Sequence, residues 1–223
     1  MLRNIDISEI SDGKLYTAND MVRIECHGCS GCSECCHDMG ESIVLDPYDM
    51  YQLEKGLGTT FEELMRDKIE LHVVDGITQP NLKMQGADPR CGFLNQEGRC
   101  EIHDFRPGFC RLFPLGRIYE NEDFRYFLQI HECTYPNRSK VKIKKWLGIP
   151  DLPAYENYIR AWHKLLKEAQ EVIAQSENED IIRSINMLIL KEFYVNQYNE
   201  ESFYTQFESR LSTVLRLLFA RTS

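Results

Sequence analysis

Residues 26–36 read Cys-His-Gly-Cys-Ser-Gly-Cys-Ser-Glu-Cys-Cys and place five thiols within eleven residues. The other residues of this stretch are small or polar and none is aliphatic, so it is not a strand or helix packed into an apolar core. It is typical of a loop that wraps its sulfurs around a metal ion or a metal cluster. Disulfides are the alternative. Adjacent Cys35 and Cys36 do not easily pair with each other, and nothing before them resembles a secretory signal.

The composition narrows the classes of function. The chain has 223 residues, enough for one large domain or two small ones, and its hydrophobic content of 43% is ordinary for a folded protein. The formal net charge of −9 argues against a broad surface for nucleic acid or an anionic membrane. No apolar run approaches the roughly 20 residues that cross a bilayer. We therefore expect a cytoplasmic protein, where thiols stay reduced and dense cysteines bind metals more often than they form disulfides.

Four further thiols follow the first block. Three lie in the turn-rich stretch 91–114, and Cys133 stands alone. Four thiolates complete one tetrahedral zinc site or hold one iron–sulfur cubane, so nine could complete two sites with one left over. The spacing Cys29-x2-Cys32-x2-Cys35 is typical of ferredoxin cluster sites, whereas zinc ribbons more often present two separated pairs. The first block thus favours an iron–sulfur cluster over zinc, and the second block does not decide between them.

The blocks also resemble the YkgJ-type cysteine-cluster family, which is described as a proposed zinc- or iron-chelating domain. The resemblance covers roughly residues 26–133 and excludes the rest of the chain. It is carried by Cys29-Ser-Gly-Cys32-Ser-Glu-Cys35-Cys36, Cys91-Gly-Phe-Leu, Gly-Arg-Cys100-Glu-Ile-His and Arg-Pro-Gly-Phe-Cys110-Arg-Leu-Phe-Pro. It implies a ligand set of Cys29, Cys32, Cys35, Cys36, Cys91, Cys100, Cys110 and Cys133. Cys26 is a further candidate that is added to the usual pattern.

Local patterns predict short elements between the blocks. Asp46-Pro47 opens a helix that ends near Gly56 or Gly58, with Asp as the cap and Pro at the first helical position. A capping box at residues 60–63 starts a second helix. Residues 71–84 predict a strand, a turn around Asp75-Gly76, and a loop through Pro80. Further along, residues 117–130 predict a hairpin.

The last 90 residues contain no cysteine and change character. Breakers at Gly148, Pro150 and Pro153 mark a boundary. Three apolar stripes at helical spacing follow, with short polar connections that favour antiparallel neighbours. We predict a domain of residues 1–139 that binds metal and a helical domain of residues 140–223 that could receive a protein partner. The fold class is α+β, mostly α: an irregular metal-centred region with short strands and helices, plus an antiparallel three-helix unit.

Several side chains beside the thiols have other predicted roles. With nine sulfurs present, no histidine is needed as a ligand, and we expect hydrogen-bonding roles for His27, His37, His103 and His131. Arginines flank the second block either as donors to sulfur or in ordinary ion pairs: Arg90, Arg106 and Arg111. Three phenylalanines are predicted to cover the core: Phe93, Phe109 and Phe113.

Three functional hypotheses remain. The first is a metal-binding protein whose [4Fe-4S] cluster or zinc supports a redox, sensing or maturation role. The second is an S-adenosylmethionine-dependent protein-lysine N-methyltransferase, which follows only from the resemblance, since some members are called flagellin lysine N-methylases. The third is a structural zinc module that binds a partner. No glycine-rich nucleotide loop, HExxH motif or Cys-x3-Cys-x2-Cys motif is present, so whether the chain is an enzyme stays open.

Overall fold

The computed structural model describes residues 7–26, 32–199 and 202–219. The strands are β1 (Met21–Glu25), β2 (Ile69–Val74), β3 (Ile77–Leu82), β4 (Met84–Gln85), β5 (Arg90–Cys91), β6 (Leu115–Glu120), β7 (Asp123–Leu128) and β8 (Ser139–Lys142). The α-helices are α1 (Ile7–Ile10), α2 (Pro47–Leu57), α3 (Phe61–Asp67), α4 (Gly108–Leu112), α5 (Ile143–Leu147), α6 (Leu152–Gln175), α7 (Glu179–Leu190) and α8 (Phe203–Phe219). Single 3-10 turns lie at Glu34–Cys36 and His103–Phe105, and a π-helical turn, Lys191–Val195, follows α7.

The described strands form four separate antiparallel pairs: β1 with β8, β2 with β3, β4 with β5, and β6 with β7. Helices α6, α7 and α8 pack against one another, with Trp162 of α6 against Phe193 and Phe207. The predicted α+β class, mostly α with a helical C-terminal region, is confirmed. None of the helices in the described ranges is both long and apolar enough to cross a membrane.

The helices that precede the second cysteine block begin where the sequence predicts. Asp46 caps α2 by accepting a hydrogen bond from the Asp49 N–H, while the Asp49 side chain accepts one from the Asp46 N–H. Pro47 occupies the first turn, and Gly58 ends the helix in the left-handed conformation at φ 63°. Thr60 and Glu63 form the same reciprocal box at the start of α3.

The predicted loop through Pro80 is wrong, because Pro80 lies inside β3, opposite Leu71. Its carbonyl accepts a hydrogen bond from the Leu45 N–H at 2.8 Å, so the polar edge of Pro80 faces the segment around Leu45 rather than β2. In an antiparallel ladder, two residues of a hydrogen-bonded pair exchange two N–H···O bonds. Pro80 has no N–H, so it cannot donate the second bond, to the Leu45 carbonyl. The Leu45 carbonyl instead accepts from the Tyr194 hydroxyl at 3.0 Å. Proline therefore removes no bond from the β2–β3 ladder.

The cysteine-rich half and the C-terminal helices share one buried apolar cluster. Asn186 of α7 joins them through hydrogen bonds at the β2–β3 turn: its Oδ1 accepts from the Thr78 N–H at 2.5 Å, and its Nδ2 donates to the Gly76 carbonyl at 3.2 Å. Strand β8 also lies across the predicted boundary at residue 139. The division into two domains stays a prediction.

Gly56 provides the first test of this packing. An alanine Cβ at this position would lie 2.6 Å from the Phe105 ring, which belongs to the turn between Cys100 and Cys110. Helix propensity alone predicts that Gly56→Ala stabilises by about 0.5–1 kcal/mol. Because overpacking costs about 1–3 kcal/mol, we expect a net destabilisation of about 1 kcal/mol in chemical denaturation. Exposed Lys55→Ala is the control, with a change within about 0.5 kcal/mol. A stabilised Gly56→Ala variant would contradict the close approach of Phe105 to α2.

Candidate metal centre

Eight of the nine cysteines lie in the described ranges, and all eight line two adjoining cavities. The first cavity, of about 70 Å³, is lined by Cys32, Cys35, Cys36, Cys91, Cys100 and Cys110. The second cavity, of about 20 Å³, is lined by Cys26, Cys32, Cys35 and Cys133. Cys29 and His27 lie outside the described residues. Sulfurs from three separate parts of the chain therefore face a shared region, as the sequence predicts.

Backbone hydrogen bonds hold the first cysteine block beside β5. The turn Glu34–Cys36 is closed by a bond from the Cys36 N–H to the Ser33 carbonyl at 2.8 Å. The next two residues then join β5, because His37 forms a bridge with Arg90 and the Asp38 N–H donates to the Pro89 carbonyl at 2.9 Å. This attachment places Cys35 and Cys36 next to Cys91.

A tight turn returns the chain from Cys91 to Cys100. Leu94 and Cys100 form a β-bridge, and the Leu94 N–H donates to the Cys91 carbonyl at 2.9 Å. The Asn95 side-chain oxygen accepts from the Glu97 N–H at 3.0 Å and the Arg99 N–H at 2.8 Å, which is how asparagine favours turns. This turn brings Cys91 and Cys100 to the first cavity, although their separation of nine residues matches no metal-binding motif.

Cys110 is positioned by a buried carboxylate that the sequence analysis did not identify. Cys110 lies in α4, and the Gly108 N–H at the start of this helix donates to Asp49 Oδ1 at 2.7 Å. Glycine is required there because a Cβ would lie 2.6 Å from the Tyr155 hydroxyl oxygen. Asp49 is only 3% exposed. The only signal in the sequence is its place in the α2 capping box, which does not reveal the contact with residue 108.

Cys26 and Cys133 are brought together by the pairing of β1 with β8. Cys26 directly follows β1, and the ladder pairs Glu25 with Ser139. An Arg23 guanidinium nitrogen also donates to the Arg138 carbonyl at 3.1 Å. The loop that contains Cys133 therefore ends beside β1, which leads directly into the first cysteine block. The Cys26 side chain is buried, at 3% exposure. The sequence of the cysteine stretch does not predict this, because the stretch contains no aliphatic residue.

Burial and mutual proximity dominate the electrostatics of the thiols. A hydrogen bond with Cys36 lowers the pKa of Cys35 to about 7, and the same bond raises the pKa of Cys36. Desolvation raises the pKa of Cys91 and Cys100, and raises that of Cys110 well above its usual value. Without a cation, most of these thiols are held protonated, so metal binding must release protons.

The donor set fits a thiophilic metal. No disulfide joins any two of the eight described cysteines. Within the described ranges, no group of three or more His, Cys, Asp or Glu side chains is arranged to hold a metal ion as it stands. The sulfurs nevertheless line the same two cavities, and thiolates select zinc, copper(I) and iron–sulfur clusters. The fit therefore rests on the chemistry of the donors and on the cavities that they share.

The neighbouring polar side chains assist the thiols without replacing them. Arg106 lines the first cavity. Its positive charge adds to the hydrogen bond with Cys36 that lowers the pKa of Cys35, and it offsets part of the desolvation that raises the pKa of Cys100. Arg106 also donates to His103 Nδ1 at 3.2 Å and to the His103 carbonyl at 2.7 Å. Burial lowers the pKa of His103. This arrangement gives His103 the hydrogen-bonding role that the sequence predicts.

The three phenylalanines have different environments. Phe93 is buried at 2% exposure, and Phe113 lines both cavities. The prediction for Phe109 is wrong, because it is 36% exposed on the outer face of α4. Only Gly108 and Leu112 are buried in this five-residue helix, so Phe109 stays at the edge of the core. His131, near Cys133, is also exposed.

Comparison with known proteins identifies the family. The model of the CxxCxxCC family, described as a proposed zinc- or iron-chelating domain, matches residues 28–139. The chain belongs to this family, in agreement with the resemblance of its cysteine blocks. The family description accords with an iron–sulfur cluster or zinc as the cofactor. No curated protein and no solved structure matches the chain.

Proposed function

We propose that this member of the CxxCxxCC family binds a [4Fe-4S] cluster in its first cavity and uses it as a redox centre. The observation that carries the proposal is the number of thiols around the cavity relative to its size. Six cysteines line about 70 Å³ of space, and four of them do not line the second cavity: Cys36, Cys91, Cys100 and Cys110. Four thiolates are the usual ligand set of a cubane cluster.

The size of the cavity favours a cluster over a single zinc ion. A tetrahedral zinc holds its sulfurs about 2.3 Å away and leaves no further space between them. A cavity needs only about 10–15 Å³ on the same measure to accept one water molecule. The first cavity is several times larger, which supports a polynuclear occupant.

The residues around the thiols suit a charged cluster that is shielded from water. Apolar side chains complete the wall of the cavity: Ile43, Leu82, Leu94, Ile102, Phe113 and Trp146. Arg99 and Arg106 add two positive charges beside the thiolates, which offsets their negative charge. When bound, a [4Fe-4S] cluster supplies one-electron chemistry at a potential set by charge, hydrogen bonds to sulfur and solvent exposure. Cys100 and Arg99 lie towards the surface, within reach of a redox partner.

Anaerobic purification followed by metal and sulfide analysis tests this proposal. We expect brown protein with about four irons and four acid-labile sulfides per chain. We also expect a paramagnetic resonance signal that appears and disappears reversibly on reduction and oxidation. Colourless protein with zinc as its only bound metal would overturn the redox proposal and leave a structural zinc module.

A further inference from the structure

The ribbon formed by β1 and β8 has one buried face and one exposed face. The buried face belongs to the apolar core through three side chains, each at most 6% exposed: Val22, Ile24 and Val141. Successive side chains of a strand point to opposite faces, whereas paired residues of a ladder share a face. The ladder pairs Met21 with Lys142 and Arg23 with Lys140. These four exposed residues therefore lie together on the other side of the ribbon, and we name them the basic face.

The positive charges of the basic face are not neutralised within the described part of the chain. Arg23 and Lys140 lie directly opposite each other, where like charges destabilise a ladder. The Arg23 guanidinium donates to the Arg138 carbonyl at 3.1 Å, an uncharged acceptor. None of the salt bridges between described residues involves Arg23, Lys140 or Lys142. A partner that brings carboxylates to this face would relieve the repulsion.

The surroundings of the basic face are also poor in available carboxylates. Residues 133–150 contain no Asp or Glu, although the chain has 35 acidic and 26 basic residues. Asp20, before β1, accepts hydrogen bonds from the Thr17 N–H and hydroxyl at 2.7 Å each, and Glu25 lies opposite Ser139 rather than a cation. After β8, α5 exposes two further lysines: Lys144 and Lys145. A concentrated positive surface on an acidic protein orients the approach of an acidic partner.

The basic face borders the cavities that the thiols line. Cys26 directly follows β1 and lines the second cavity. Trp146, the residue after the two lysines of α5, lines both cavities. Its Nε1–H donates to the Phe113 carbonyl at 3.2 Å, which joins α5 to the segment that follows Cys110. A protein bound at the basic face would therefore lie beside the candidate metal centre.

We propose that the basic face docks a small acidic protein of the electron-transfer class. Redox encounters use small interfaces in which complementary charges steer association, and a two-stranded ribbon is a surface of this size. Met21, which is 49% exposed beside Lys142, supplies an apolar contact among the charges. Nucleic acid fits less well, because the net charge of −9 repels an extended polyanion. The redox character of the partner rests on the proposed function, whereas the docking of an acidic protein does not.

Titration calorimetry with an acidic plant-type [2Fe–2S] ferredoxin tests this surface. Because exposed charges are screened by salt, we expect a complex at about 20 mM salt that weakens at least about tenfold at roughly 0.5 M. Lys140→Glu/Lys142→Glu should weaken binding at low salt by at least about tenfold. The matched control, Arg183→Glu/Lys191→Glu, makes the same change in net charge at exposed positions of α7 and the turn after it. It should bind within about threefold of the wild-type protein.

Chemical denaturation of the same lysine variant separates loss of docking from loss of folding. Lys140→Glu replaces a like-charge pair with an opposite-charge pair across from Arg23, so the midpoint should equal or exceed that of the wild-type protein. No binding by the wild-type protein, or equal binding by the lysine variant, would overturn the docking surface. Single-stranded RNA that bound more tightly than ferredoxin, and lost binding with the same two lysines, would assign the surface to nucleic acid instead.

The docking surface and the redox function fail separately in these experiments. Protein that binds ferredoxin through Lys140 and Lys142 but contains only zinc retains the docking surface and loses the redox function. Protein that contains the cluster but binds ferredoxin no more tightly than its lysine variant does retains the redox centre and loses the docking surface.

Discussion

Cys110→Ser is expected to abolish the metal centre and to destabilise the whole cysteine-rich half. Cys110 lines the first cavity and not the second, and a serine hydroxyl does not replace a thiolate ligand. Because metal binding is coupled to folding, loss of the centre should cost on the order of 5 kcal/mol or more. For a chain of this length, about 2–4 °C of melting temperature corresponds to each kcal/mol, so we expect the transition to fall by more than about 10 °C. Anaerobic calorimetry with parallel metal analysis measures both effects.

Phe109→Ala provides the matched control for that variant. Phe109 lies next to Cys110 in α4 and is 36% exposed, so its removal should cost about 1–2 kcal/mol, well below the loss expected for Cys110→Ser, and leave the metal content unchanged. If Cys110→Ser kept its full complement of metal, Cys110 would not be a ligand, and the set of four thiols around the first cavity would be wrong.

The parts of the fold that the sequence predicts are those decided by residues close to one another in the chain. Both capping boxes, at Asp46 and Thr60, involve residues three apart, and their chemistry alone specifies where α2 and α3 begin. The strand character of Pro80 was missed for the opposite reason. Proline normally ends a strand, and here it is tolerated because its missing N–H faces Leu45, whose carbonyl accepts a bond from Tyr194. That compensation comes from a side chain more than 100 residues away.

The same distinction applies to the metal centre. The thiols are recognisable from their density, since few structures other than metal sites and disulfides use so many sulfurs together. Their division between two cavities depends on the β1–β8 ladder, which joins residues more than 100 positions apart. The spacing within the first block does not reveal this division, because it does not show that the fold places Cys36 and Cys26 at different cavities. The role of Asp49 was hidden for a similar reason, because its second contact is 59 residues away at Gly108.

Asp49→Ala is expected to weaken the protein and its metal affinity together. The Asp49 carboxylate accepts hydrogen bonds from the Gly108 N–H at 2.7 Å and from the Asp46 N–H at 3.1 Å. Alanine would leave both donors without this acceptor, and a buried unsatisfied group costs about 1–3 kcal/mol. We therefore expect a loss of about 2–5 kcal/mol in chemical denaturation. Because Gly108 begins the helix that contains Cys110, the metal should also be removed more readily by a competing chelator.

Two further variants separate positioning of Cys110 from general destabilisation. Asp49→Asn retains an amide oxygen that can accept from the Gly108 N–H, so it should keep most of the metal affinity while losing part of the α2 cap. Asp67→Ala removes an exposed carboxylate that lies 3.6 Å from the Lys68 ammonium, and such surface pairs contribute about 0–1 kcal/mol. If Asp49→Ala were destabilised but released its metal no faster than Asp67→Ala, the bond to Gly108 would not position Cys110. Faster release from Asp49→Ala than from Asp49→Asn would assign that positioning to the acceptor oxygen itself.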